Sequence, residues 1–231
     1  MSDSPIAVEQ HGPELLHHFV DAEQQRDAAS LGMWLFLATE IMFFGGMFCA
    51  YLIYRFWYYN EFAAGSRSLD ITLGTVNTAV LICSSLTVAL GVRAAQMGKR
   101  KLLVILLLLT IAFGFAFLGI KGMEWYHKFT EHHIPGPTFN VDKLAEDNPN
   151  IHIDLRHEQI FFSLYFAMTG LHALHMIIGV GMFAFLTYYA WKGRYTPKYY
   201  TPVEMGGLYW HFVDIVWIYL FPLLYLIDRH H

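Results

Sequence analysis

Five ionisable residues, Glu40, His172, His175, His211 and Asp214, sit inside runs apolar enough to cross a bilayer. An ionisable group in hydrocarbon costs about 3 kcal/mol or more, so each of them needs a partner at its own depth. His211 and Asp214 lie three residues apart within Tyr209-Trp210-His211-Phe212-Val213-Asp214-Ile215-Val216-Trp217. That spacing puts both on one helix face, where they can steady each other and reach a neighbouring helix. His172-x-x-His175 also places two imidazoles on one face, a spacing that suits metal chelation with His211 as a third ligand. Against a di-iron site, no Glu-x-x-His pair accompanies them. Against haem, two histidines one turn apart on a single helix cannot cap opposite faces of one macrocycle. The residue types leave two chemistries open: interhelical hydrogen bonds that fix packing, or a proton relay, ion site or haem site.

The elements that must position these residues follow from composition and periodicity. The chain has 231 residues, 55% hydrophobic and 17% aromatic with only 15% charged, which places it among membrane proteins. A net charge of -4 without a basic tract argues against nucleic acid as a partner. Cys49 and Cys83 fall in apolar runs without metal-ligand spacing and read as packing residues. Residues 1–30 are polar and acidic, lack a cationic leader, and read as an aqueous segment with at most a surface helix near 14–29 rather than a cleaved signal peptide. Spanning helices are expected over about 31–58, 71–95, 102–126, 158–191 and 205–227, with one long outer loop over 127–157. The fold class expected is an all-α membrane protein, a bundle of five transmembrane helices.

Polar residues within these helices then acquire roles. Asn77 and Thr78 belong to a series of small polar residues on the second helix that favours close packing. Lys121 and Glu124, at i, i+3 on the third, can pair near a membrane edge. Arg93, Lys99, Arg100, Lys101, Lys192, Arg194 and Lys198 gather around the two short turns, so the N-terminus is expected in the cytoplasm and the C-terminus outside. With a rise of about 1.5 Å per residue, Glu40 and Asp214 lie roughly 15 Å from the cytoplasmic end. His172, His175 and His211 fall in the same half, so the five form one buried polar layer if helices one, four and five are neighbours. Glu40, with no cation in its helix until Arg55, is expected as the neutral acid, bonded to His172, His175, His211 or a backbone carbonyl.

These motifs resemble subunit III of the haem-copper oxidases, in particular the cytochrome c oxidase branch in its short five-helix bacterial form. The resemblance covers roughly residues 31–227 and rests on Leu35-Phe36-Leu37-Ala38-Thr39-Glu40-Ile41-Met42-Phe43-Phe44, Asn77-Thr78, Glu124-Trp125-Tyr126, Thr169-Gly170-Leu171-His172-Ala173-Leu174-His175 with Ile177-Ile178-Gly179, and the stretch from Tyr209 to Trp217. It implies a subunit with no catalytic residue and no metal of its own, in the bacterial inner membrane. Haem and copper would reside in subunits I and II, with cytochrome c as donor to the complex. Such a subunit packs on subunit I, stabilises it during turnover, supports proton uptake through positions such as Glu40, and binds phospholipid. The longer form of the family has seven spans and this chain lacks the first two, so lipid sites built by that helix pair do not carry over. The alternatives are the matching subunit of a quinol oxidase or nitric oxide reductase relative, or an independent proton or ion transporter. The chain has no inverted repeat or broken-helix pair to favour a transporter.

Overall fold

A computed structural model describes residues 19–130 and 154–227, and all of its regular structure is helical. The helices among the described residues are α1 (Ala22–Trp57), α2 (Tyr59–Arg67), α3 (Ile71–Gln96), α4 (Arg100–Thr130), α5 (Leu155–Trp191) and α6 (Thr201–Tyr225). All except α2 are long and apolar enough to cross a membrane. Helices are the natural choice there, because each backbone N–H and C=O finds its partner within the segment when no water is at hand.

Two boundaries differ from the sequence expectation. Where it is described, the expected surface helix near 14–29 is continuous with the span from Leu31: α1 begins at Ala22, and the Asp21 side chain caps it by accepting from the Gln24 N–H at 2.7 Å. Nothing in Ala28-Ala29-Ser30 breaks the helix before the apolar run. Residues between the first two spans form the unexpected helix α2, which buries Phe62, Ala63 and Ala64 and packs on α5 and α1, with Phe62 against Phe161 and Tyr51. Gly65 permits that approach, since a Cβ there would overlap the ring of Phe161. The expected loop over 127–157 and segment 1–30 fall largely on 131–153 and 1–18, outside the described residues.

Helices α3, α4, α5 and α6 close a ring, each packing on the next and α6 returning to α3. The fifth long helix, α1, lies outside this ring in the groove between α5 and α6. Trp210 of α6 fills the centre of the ring, fully enclosed, and its Nε1 donates to the Ser84 Oγ of α3 at 2.9 Å. Two glycines make room for it. A Cβ on Gly114 of α4 would stand 3.0 Å from the indole, and one on Gly179 of α5 would stand 2.9 Å from it. In lipid, where apolar burial gives little net drive between helices, such close backbone approach and interhelical hydrogen bonds carry the packing.

The two short turns meet at one end of the bundle. Gly98 (φ 67°) ends the turn from α3 to α4, and Gly193 (φ 77°) the descent from α5, both in the left-handed region that glycine enters without steric cost. Gly98 lies against Pro197, and Gly193 against the Arg100 guanidinium. Lys99, Arg100, Lys101, Lys192, Arg194 and Lys198 are thereby collected on one face.

Candidate functional site

Because α1 seats against both α5 and α6, the three helices that carry the five ionisable residues are neighbours. The residues do not, however, meet in a single cluster. Glu40 reaches across to α5, where its Oε2 stands 3.2 Å from His175 Nε2; the two side chains are 20% and 14% exposed. The other ring nitrogen, His175 Nδ1, lies 2.8 Å from the Leu171 carbonyl one turn back. Tyr209 of α6 donates its hydroxyl to the His175 carbonyl at 2.9 Å and lies roughly parallel to the imidazole, and Phe44 meets the imidazole edge-to-face. Of the partners expected for Glu40, the one provided is His175.

His172, only one turn away, faces the interior of the ring instead. It is enclosed between Phe117 and Trp217, with ring centroids 5.3 and 5.2 Å away. Neither of its nitrogens has a hydrogen-bond partner. His211 does not pair with Asp214: its Nδ1 lies 2.7 Å from the Ser85 Oγ of α3. Asp214 is enclosed beside Ser85, but neither carboxyl oxygen makes a well-formed hydrogen bond. The one-face argument for His211 and Asp214 fails here because α3, packed against α6, offers a hydroxyl closer than the next turn of the helix does. Asn77 of α3 is fully buried, and Thr78 accepts from the Trp217 Nε1 at 3.1 Å.

The most completely bonded polar group is one to which the sequence assigned a membrane-edge pair. Lys121 and Glu124 of α4 do meet, Nζ to Oε2 at 3.1 Å, but both are enclosed in the ring at about 3% exposure. The Lys121 ammonium also donates to Tyr165 OH of α5 at 3.0 Å and to Tyr225 OH of α6 at 2.6 Å. Both phenols donate in turn to the other carboxylate oxygen, Glu124 Oε1. Three ammonium hydrogens find three acceptors, and two hydroxyl hydrogens find a carboxylate, so the network is neutral and closed. The ammonium further lies over the rings of Tyr165, Trp217 and Tyr225 at 4.8 to 5.3 Å. Sequence reasoning missed the tyrosines. The available signal was valence: a buried ammonium has three donors, and Glu124 alone cannot take all three in good geometry.

Glu158 of α5 is a further buried carboxyl that the sequence did not single out, enclosed at the junction with α2 and without a hydrogen-bond partner. Among the described residues, no three His, Cys, Asp or Glu side chains converge in a way that could hold a metal ion. His172 and His175 diverge, one into the ring and one toward α1, so their spacing does not become a chelate.

Comparison with known proteins agrees with this architecture. The cytochrome c oxidase subunit III family profile matches residues 17–139 and 155–228. Cytochrome c oxidase subunit 3 of Thermostichus vulcanus is 30% identical over 213 residues, covering 90% of this chain and 92% of the relative. The Corynebacterium diphtheriae protein of that name is 31% identical over 214 residues, covering 90% and 93%. The Oncorhynchus mykiss protein is 31% identical over 207 residues, covering 84% of this chain and 67% of the longer relative. A multi-pass helical membrane protein matched over nearly its whole length in this way belongs to the cytochrome c oxidase subunit III family.

Proposed function

We propose that this chain is the non-redox accessory subunit III of a proton-pumping terminal oxidase in a bacterial cytoplasmic membrane, fed by cytochrome c. It packs directly on subunit I beside subunit II, which hold the haem and copper, and binds membrane phospholipid. In this role it stabilises subunit I during turnover and supports proton uptake, with Glu40, His172, His175, His211 and Asp214 as the polar groups concerned. Asn77, Thr78 and Glu124 serve helix packing.

The observation that carries this reading is the engagement of the histidines within the protein itself. His172 is walled in by aromatic rings, His211 is taken by Ser85, and His175 by Leu171 and Glu40. Their surroundings fit groups that fix packing and hold protons, rather than electron carriers. The names of the relatives support cytochrome c as donor to the complex. The union of the two basic turns at one end supports a cytoplasmic N-terminus, since short-loop lysine and arginine mark that side.

The test is to tag this chain, purify the assembly in mild detergent and identify its members by mass spectrometry. The expected companions are a haem-bearing subunit I and a subunit II carrying the cysteine motif of a copper centre. A subunit II without that motif would instead indicate a quinol donor. Removing the tagged chain should leave initial oxidase turnover largely intact and shorten the time over which activity persists.

A further inference from the structure

We infer that Arg100, Lys192 and Arg194 form a site for the phosphate of an anionic phospholipid headgroup, in the leaflet at the end of the bundle where the two short turns meet. Resting on the phospholipid binding proposed above, this site adds the class of headgroup and the residues that hold it. The fold brings the three cations, all exposed, into one neighbourhood from two separate turns. Gly193 follows α5 in the left-handed conformation (φ 77°), and a Cβ there would stand 3.1 Å from Arg100 Nη1 at the start of α4. Lys192 and Arg194 flank that glycine in sequence. The Lys192 ammonium lies 4.5 Å from the ring centre of Tyr188 and the Arg194 guanidinium 5.0 Å from that of Tyr189. Those two rings are 5.5 Å apart, which holds the two cations as neighbours.

The charges at this point are not balanced by the chain. Lys99, Arg100 and Lys101 open α4, whose first turn holds no acidic residue. The start of a helix carries the positive end of its dipole, where cations are unfavourable and anions are drawn in. Among the described residues, no carboxylate forms an ion pair with Arg100, Lys192 or Arg194. Orientation in the membrane needs only basic residues near the turns. It does not need three of them at a helix start, nor two more laid along tyrosine rings.

The level of the site selects the anion. Tyr188 is 47% exposed and Trp191 67%, on the outer surface where such rings sit among headgroups. An arginine fork and a lysine point charge both suit phosphate oxygens. A headgroup with net negative charge is favoured over a zwitterionic one, whose own ammonium offsets the attraction.

The experiment takes the complex that copurifies with the full-length chain into phosphatidylcholine bilayers containing a trace of phosphatidylglycerol with a photoreactive headgroup. Labelled peptides of this chain are then mapped by mass spectrometry. Label is expected on residues 188–195, with the yield there falling at least about fivefold when Arg100→Gln, Lys192→Gln and Arg194→Gln are combined. Arg156→Gln, at the far end of the bundle, should leave it unchanged. Excess phosphatidylglycerol should compete, whereas excess phosphatidylcholine and soluble glycerol phosphate should not. Undiminished labelling in the triple variant overturns the site. Equal competition by phosphatidylcholine overturns the headgroup class, and equal competition by glycerol phosphate shows a site for free anions instead. Should the triple variant fail to assemble, the native map still decides, because label confined to other segments excludes the site. Lipid retained only elsewhere on the chain would overturn this site and leave the phospholipid binding proposed above in place.

Discussion

Lys121 and Glu124 meet at 3.1 Å inside the helix ring, and two tyrosines from other helices complete both of their hydrogen-bonding shells. A buried pair of charges costs desolvation that its own attraction often fails to exceed. Here the added phenols and ring faces supply the missing donors, acceptors and cation–π contacts. The network ties α4 to α5 and α6 at one level and so specifies the register of those helices. The bonding pattern is satisfied only when all three are aligned.

Breaking the network from one side should be costly. Lys121→Met leaves the Glu124 carboxylate enclosed with two phenols and no cation, and is expected to destabilise the subunit by about 3–5 kcal/mol. Lys121→Met combined with Glu124→Leu should recover much of that loss. Thermal unfolding of the purified complex and the fraction of subunit retained are the readouts. A double variant no better than the single one would show that the charges do more than neutralise each other.

The tyrosines should matter individually and less. Tyr225→Phe removes one acceptor from Lys121 and one donor to Glu124, and Tyr165→Phe does the same from α5. Each is expected to cost about 1–3 kcal/mol, the range for leaving a buried partner unsatisfied. The pair should be non-additive, since both hydroxyls bond the same carboxylate oxygen.

Glycine substitution at the ring centre tests the packing account. A Cβ on Gly179 would come within 3.0 Å of two Trp210 ring atoms, so Gly179→Val should displace the indole and lower stability by about 1–3 kcal/mol. Gly45→Ala, on α1 where nothing lies within 4 Å, should be neutral in the same assay.

Glu40→Gln keeps the size of the side chain and its capacity to hydrogen-bond, so subunit retention should stay close to that of the native chain. Glu40→Lys puts a cation beside His175 within the bundle and should impair retention. Retention is read from gels of the purified oxidase, followed by activity over many turnovers. Equal loss in both variants would show that the carboxylate charge itself is structural.

The orientation proposed from the basic turns is checked by accessibility. In a cysteine-free background, Lys101→Cys should react with an impermeant thiol reagent only from the cytoplasmic side, and Asn60→Cys, between the first two spans, only from outside. The opposite pattern would invert the topology.

The sequence by itself determined that this is a helical membrane bundle of five long spans, because runs of some twenty apolar residues and clustered basic turns are local properties of a chain in lipid. It also marked Glu40, His172, His175, His211, Asp214, Lys121 and Glu124, since ionisable groups are rare at such positions. Which of them meet was decided by tertiary structure. His172 and His175 share a helix face, yet a turn of roughly 60° about the axis sends one to Trp217 and the other to Glu40. His211 and Asp214 have ideal spacing, and a serine on α3 intervenes. Tyr165 and Tyr225 lie 44 and 104 residues from Lys121 and have no local pattern that announces them. Periodicity reports which face a residue occupies, whereas a hydrogen bond in a bundle depends on which helix lies against that face and at what height, and only the closing of α3 to α6 into a ring, with α1 seated outside it, settled both.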